Sequence, residues 1–143
     1  LDTALRRRFS FKEMMPKSEL LEKISFSEFN LNEVLETINN RIEALLDRDH
    51  TIGHSYFMNI ASNDTQALAA VFRDKVIPLL QEYFYHDYEK IALVLGEGFV
   101  EIKNNQTVKF AAINGADIPE AVTQFKLNSE VRDIEEAVKQ MFV

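Results

Sequence analysis

The sequence predicts a mostly α-helical fold with a β-hairpin appended. Two long stretches, Leu31 to Leu46 and Thr65 to Tyr85, place apolar residues at helical spacing behind a capping residue. Beyond Gly98 the period changes to strict alternation, which is strand patterning. With 143 residues, 46% of them hydrophobic, the chain is long enough for one compact unit with an ordinary core. Eleven Phe and four Tyr without Trp make that core aromatic. Four Gly and three Pro leave little material for long flexible linkers.

The chain opens on Ala4-Leu5, read as the last turns of a helix, then Arg6, Arg7 and Arg8, then a strand from Phe9 to Met14. Cations suit a helix C-terminus, so a solvated helix end accounts for the arginines. A guanidinium at an element boundary also fits a developing phosphoryl charge, because its planar fork donates two hydrogen bonds and keeps its proton. Both readings stand at this point. The strand leaves backbone groups unpaired unless a sheet accepts it, so the expectation is a C-terminal piece of a larger protein.

The first full helix is expected from Asn30, with Glu33 completing a capping-box pattern, to about Leu46. Its stripe is Leu31, Val34, Leu35, Ile38, Ile42, Leu45 and Leu46. Asp49 is expected to cap the turn that follows, and Thr51 to Met58 to hold a tight turn and a short helix, with Gly53 at the boundary. A second helix follows from Thr65 to Tyr85, capped by Asn63 or Asp64, and Pro78 predicts a kink near Asp74. Asp87 caps a short helix from Tyr88 to Leu95 that Gly96 stops. Phe99 to Lys103 and Thr107 to Ala111 are expected to pair across an Asn104-Asn105 turn. Asn114 to Leu127 reads as irregular, and a last helix as capped by Ser129.

Composition narrows the function. A net charge of −7 argues against a main nucleic-acid surface, which needs a basic face. No apolar run approaches ~18 residues, so no membrane span is expected. No charged-then-apolar leader is present, and with no Cys the reading is a cytoplasmic address without disulfides or thiolate metal sites. There is no phosphate-binding glycine loop, no Asp-Glu pair closing a strand to hold Mg²⁺, and no glycine-flanked serine. Alone, the chain is expected to be catalytically silent.

Two local readings compete at Asp49-His50-Thr51-Ile52-Gly53-His54. Histidines four apart can bind zinc, but Gly53 between them weakens a helix and no third ligand is marked, so no metal is assigned. Alternatively the Gly53-His54-Ser55 turn, leading into a helix, offers free N–H groups to an anion or a purine base. His86-Asp87 reads as a helix joint. Glu19, Glu22, Glu28, Glu33 and Glu36 read as a solvated face, and Tyr83-Phe84-Tyr85 as core plus rim.

The wording of Asp2-Thr3-Ala4-Leu5-Arg6-Arg7-Arg8-Phe9, with Phe11, Glu13, Met14 and Pro16, resembles the end of an AAA+ core. More narrowly, Asp47 to Phe57, Ile77 to Tyr85 and the Lys90-Ile91 to Gly96 stretch resemble the McrB family of 5-methylcytosine-specific restriction systems. The resemblance implies that 1–16 close the AAA+ core and that 17–143 form its C-terminal helical lid with the hairpin and last helix. It implies a homo-oligomeric ring in which Arg7 and Arg8, with Arg6 less directly, reach a neighbour's site as arginine finger and companion sensor. Ile52, Gly53, His54 and Ser55 would then face the nucleotide. GTP or ATP with Mg²⁺ would be the cofactor of the larger protein, none binding tightly to this piece. An McrC-like nuclease would be a partner, and DNA would bind through other regions. Left open are a related AAA+ ATPase that remodels other proteins, and a non-enzymatic helical module whose arginines hold an acidic partner.

Overall fold

The computed structural model describes residues 17–105, 109–115, 117–118, 122–128 and 130–142. The expected opening strand, the arginines and Ser129 lie outside them. Among the described residues the order is a 3-10 turn (Ser18–Leu21), α1 (Leu31–Leu45), 3-10 turns at Arg48–His50 and His54–Tyr56, α2 (Thr65–Val71), a π-helical turn (Phe72–Val76) and α3 (Ile77–Tyr83). There follow α4 (Tyr88–Leu95), β1 (Val100–Asn105), β2 (Val122–Leu127) and α5 (Ile134–Lys139). Among the described residues no helix is long and apolar enough to cross a membrane.

The predicted stripe of α1 is its buried face: Leu31, Val34, Leu35, Ile38 and Ile42 are fully covered, while Leu46, just past the end, is 37% exposed. Asn30 takes the N-cap position without a capping bond from its side chain. Its residue instead forms a bridge to Ser25, and the Phe26 and Phe29 rings stack inside the turn so formed, 5.2 Å apart. The chain's entry into α1 is therefore fixed by backbone pairing and ring packing, where the sequence pattern pointed to a capping box.

Asp64, whose carboxylate accepts from the Ala67 N–H, starts the next helix. Asn63 precedes it with φ +62, a left-handed conformation that asparagine tolerates. The expected irregularity around Pro78 is a π turn. Proline has no N–H for the carbonyl of Asp74 and its ring crowds that carbonyl, so one turn widens and the Ile77 N–H reaches back to Phe72 O. Through the turn Leu68, Phe72, Val76, Leu79, Leu80 and Tyr83 stay on the buried side. Tyr83 and Phe84 are core, and Tyr85 is 91% exposed. Tyr85 and His86 both have positive φ, forming the sharp joint into α4, whose N-cap Asp87 accepts from the Glu89 and Lys90 N–H groups.

α4 packs against α1, α3 and both strands, and α5 packs against α2. One continuous core joins all of these elements. The sheet differs from the expected hairpin. β1 runs through Asn104 and Asn105 and pairs antiparallel with β2, Val100 opposite Leu127 and Asn105 opposite Val122. Asn104 is thus a ladder residue whose side-chain oxygen accepts from the Thr123 hydroxyl at 2.9 Å. Lys109 to Ala111 carry no strand and are exposed, Phe110 at 46%. Phe125 and Leu127 win the pairing because they reach the core cluster. The last helix begins at Ile134, with Asp133 as the cap that accepts from the Glu136 N–H, later than the Ser129 cap the sequence suggested.

Gly98 sits where this layer closes. A methyl group there would lie 2.6 Å from Ala137 Cα and 2.9 Å from its Cβ. Gly98→Ala is therefore expected to destabilise the fold by about 1–3 kcal/mol through overpacking. A denaturant midpoint unchanged from wild type would show that α5 can yield.

Candidate functional site

The stretch Asp47 to Tyr56 is held in place by a succession of local bonds. Asp47, and not Asp49, is the cap: its carboxylate accepts from the His50 N–H at 3.0 Å and lies against His50 Nδ1. The His50 ring also stands edge-on to Tyr83, centroids 4.8 Å apart at 90°. The Thr51 hydroxyl donates to Arg48 O at 2.8 Å, closing the turn. Among the described residues no group of three or more His, Cys, Asp or Glu is placed to hold a metal ion.

Ile52 is the anchor of the next turn. Its side chain is 1% exposed. Its backbone is gripped on both sides by one side chain, Asn39 on α1. Asn39 Nδ2 donates to Ile52 O at 2.8 Å, and the Ile52 N–H donates to Asn39 Oδ1 at 2.6 Å. Asn39 is the buried polar residue among the described residues, at 8% exposure. From this anchor the chain turns outward. Gly53, extended at φ −73 and ψ 153, precedes the 3-10 turn His54–Tyr56, in which the Tyr56 N–H donates to Gly53 O and the following Phe57 N–H to His54 O. His54 Nδ1 is covered and makes no hydrogen bond to the described residues.

Ser55 and Tyr56 form one wall of a cleft of about 470 Å³, and Asp74, Lys75, Pro78, Leu79 and Glu82 form the other. The facing wall is therefore the π turn and the first turn of α3. Arg73 grips Asp74 in the two-pronged geometry of a guanidinium on a carboxylate, Nε to Oδ1 2.8 Å and the second nitrogen to Oδ2 3.0 Å. Hydrogen bonding to Arg73 holds the Asp74 carboxyl below its ordinary range, and Asp74 raises Arg73 in turn. Both groups are exposed, so this pairing shapes the rim without contributing measurably to stability.

A second polar side chain of α1 works on the opposite flank. Arg41 donates to Val94 O at 2.8 Å, in the last turn of α4, and to Met141 O, just after α5. A cation against two sets of helix-end carbonyls suits both dipoles. Burial pushes the Arg41 guanidinium below its ordinary range, though it stays charged near neutral pH.

Ile52, Gly53, His54 and Ser55 are thus consecutive on one anchored turn, of which Ser55 lines the cleft and Ile52 is buried in the core, while Arg6, Arg7 and Arg8 lie outside the described residues. Asn39 was missed in the sequence, although it stands on the apolar stripe, four residues after Leu35 and three before Ile42. A lone amide on such a stripe signals a buried hydrogen-bonded group.

Residues 30–92 match the family described as McrB, alpha-helical lid domain. Over these residues the chain is similar to an McrB lid. The match opens at the N-cap of α1 and ends inside α4, so it contains the Asn39 clamp, the 52–55 turn and the cleft. The chain is also 35% identical over 103 residues to the type IV methyl-directed restriction enzyme EcoKMcrB subunit of Escherichia coli (strain K12), an alignment covering 61% of this chain and 22% of that subunit. The chain thus matches about a fifth of that relative's length. The folded unit runs past the matched stretch, because Arg41 ties α5 to α1.

Proposed function

We propose that this chain is the lid and arginine-bearing part of an AAA+ nucleoside triphosphatase that serves as motor subunit of a methylation-dependent DNA restriction system. The observation that carries the reading is the coincidence of the McrB lid match with a rigidly anchored Ile52-Gly53-His54-Ser55 turn beside an open cleft. The McrB-like lid folds over nucleotide held by the phosphate-binding core of the larger protein, and the 52–55 turn meets the base or ribose. Arg7 and Arg8, ahead of the last core strand, reach the neighbouring subunit's γ-phosphate in a homo-oligomeric ring. There they stabilise charge that develops as the phosphoryl group leaves, a task that needs fixed cations and no covalent chemistry. Mg²⁺ and the phosphate cradle come from the core, so this piece alone is inactive. An McrC-like nuclease subunit and DNA engage other parts of the assembly, in the cytoplasm.

GTP is the expected nucleotide, following the family, with ATP as the alternative. The test is steady-state hydrolysis of each by the complete protein carrying this segment, with Mg²⁺. Turnover of GTP well above that of ATP supports the restriction-motor reading. ATP preference points to a remodelling ATPase, and hydrolysis of neither leaves the helical interaction module.

A further inference from the structure

We infer that Asn39 is a positioning residue for the nucleotide-facing turn, setting nucleotide affinity from inside the lid without touching the ligand. The inference rests on the function proposed above, and the geometry supplies the rest. A single amide satisfies both backbone groups of Ile52, through Nδ2 at 2.8 Å and Oδ1 at 2.6 Å, from a site 8% exposed. An amide can do so because one end donates while the other accepts.

The placement is what gives the bond a function. Ile52 is the last buried residue before the chain passes through the half-buried Gly53 and His54 to Ser55, which lines the cleft. Its side chain, at 1% exposure, fixes where the turn is rooted, and the two Asn39 bonds fix the orientation of its peptide planes. The orientation of the Ile52 carbonyl and N–H sets the direction in which the 53–55 backbone leaves the core. A bare hydrophobic anchor would allow that peptide to rock, and small misplacements of a binding group reduce affinity steeply. Burial makes the arrangement all-or-none, because neither Ile52 group has water to fall back on.

Asn39→Asp tests this most sharply in the complete protein. The shape is kept, but an ionised carboxylate accepts from the Ile52 N–H and opposes the Ile52 carbonyl. The KM for the hydrolysed nucleotide is expected to rise by about tenfold at neutral pH, with kcat changed much less. Below the raised pKa of that buried carboxyl the protonated group can donate to Ile52 O again, so KM should recover as pH falls. Asn39→Leu, which fills the space but makes neither bond, should raise KM without the pH-dependent recovery. Arg41→Lys is the control: it loosens the same helix from α4 and α5 and leaves the Ile52 clamp intact, so its KM should stay near wild type. A wild-type KM in folded Asn39→Asp and Asn39→Leu overturns the inference while the function reading stands. Equal KM shifts in the Asn39 and Arg41 variants also overturn it, by reducing the effect to general lid stability. Hydrolysis of neither GTP nor ATP by the wild-type protein overturns the function reading and this inference with it.

Discussion

Replacing Arg7 or Arg8 by alanine in the complete protein is expected to lower nucleotide turnover by roughly 10³–10⁵-fold, with nucleotide binding changed far less. That loss corresponds to about 4–7 kcal/mol of barrier. The asymmetry follows from timing. In the proposed ring the γ-phosphate is bound mainly by the core's own cradle, whereas a guanidinium from the neighbour meets charge that is largest in the transition state. Arg→Lys at the finger position should recover little, since a point charge cannot replace the two-pronged fork. Single-turnover hydrolysis at saturating nucleotide measures the effect, and a thermal melt that does not move separates lost chemistry from lost fold. Mixing the variant with subunits that bind nucleotide but lack the Mg²⁺ ligands identifies which arginine acts in trans. If both alanine variants turn over at the wild-type rate, the arginines return to the alternative that the sequence leaves open, a solvated helix end.

The second large effect is structural. Phe72→Ala is expected to destabilise the lid by about 3–5 kcal/mol. The ring is 1% exposed, stacked on Phe99 at 4.9 Å and 23° and tilted against Phe57 at 6.0 Å. It therefore joins three parts of the chain: the π-bulged helix, the segment after the 54–56 turn, and the entry to β1. Its own carbonyl accepts the Ile77 N–H that defines the π turn. A domain of this size is stable by only about 5–15 kcal/mol, so the variant should lose a large share of that margin. Leu93→Ala, at a side chain 59% exposed on α4, should change the same denaturant midpoint little. Similar midpoints for the two variants would mean that the core can close around the missing ring.

Much of the helical architecture was legible because its signals are local. The α1 stripe, the Asp64 and Asp87 caps, the stop at Gly96 with φ +83 and the disturbance before Pro78 all depend on residues within a turn or two of each other. The anchored turn at 52–55 was legible as a turn for the same reason. Its clamp was not, because Asn39 and Ile52 are thirteen residues apart and an amide on a stripe names no partner. Arg41 was harder still, since its acceptors are backbone carbonyls 53 and 100 residues away.

The sheet shows where local patterning fails. Thr107 to Ala111 alternates as well as Val122 to Leu127 does, and Asn104-Asn105 is a reasonable turn. Which segment pairs with β1 depends on which one can place apolar side chains over α4, and only the packed molecule decides that: Phe125 and Leu127 reach the core, while Phe110 is left at the surface. By itself, then, the sequence determined a mostly helical, McrB-like piece with a turn at 52–55, because periodicity, caps and short motifs are short-range properties. The tertiary structure alone decided the strand partner, the true cap of α5 and the two α1 side chains that fix the turn and the last helix. Those choices rest on buried groups finding hydrogen bonds and volume across long stretches of chain, where the cost of an unmet polar group or an unfilled space is settled.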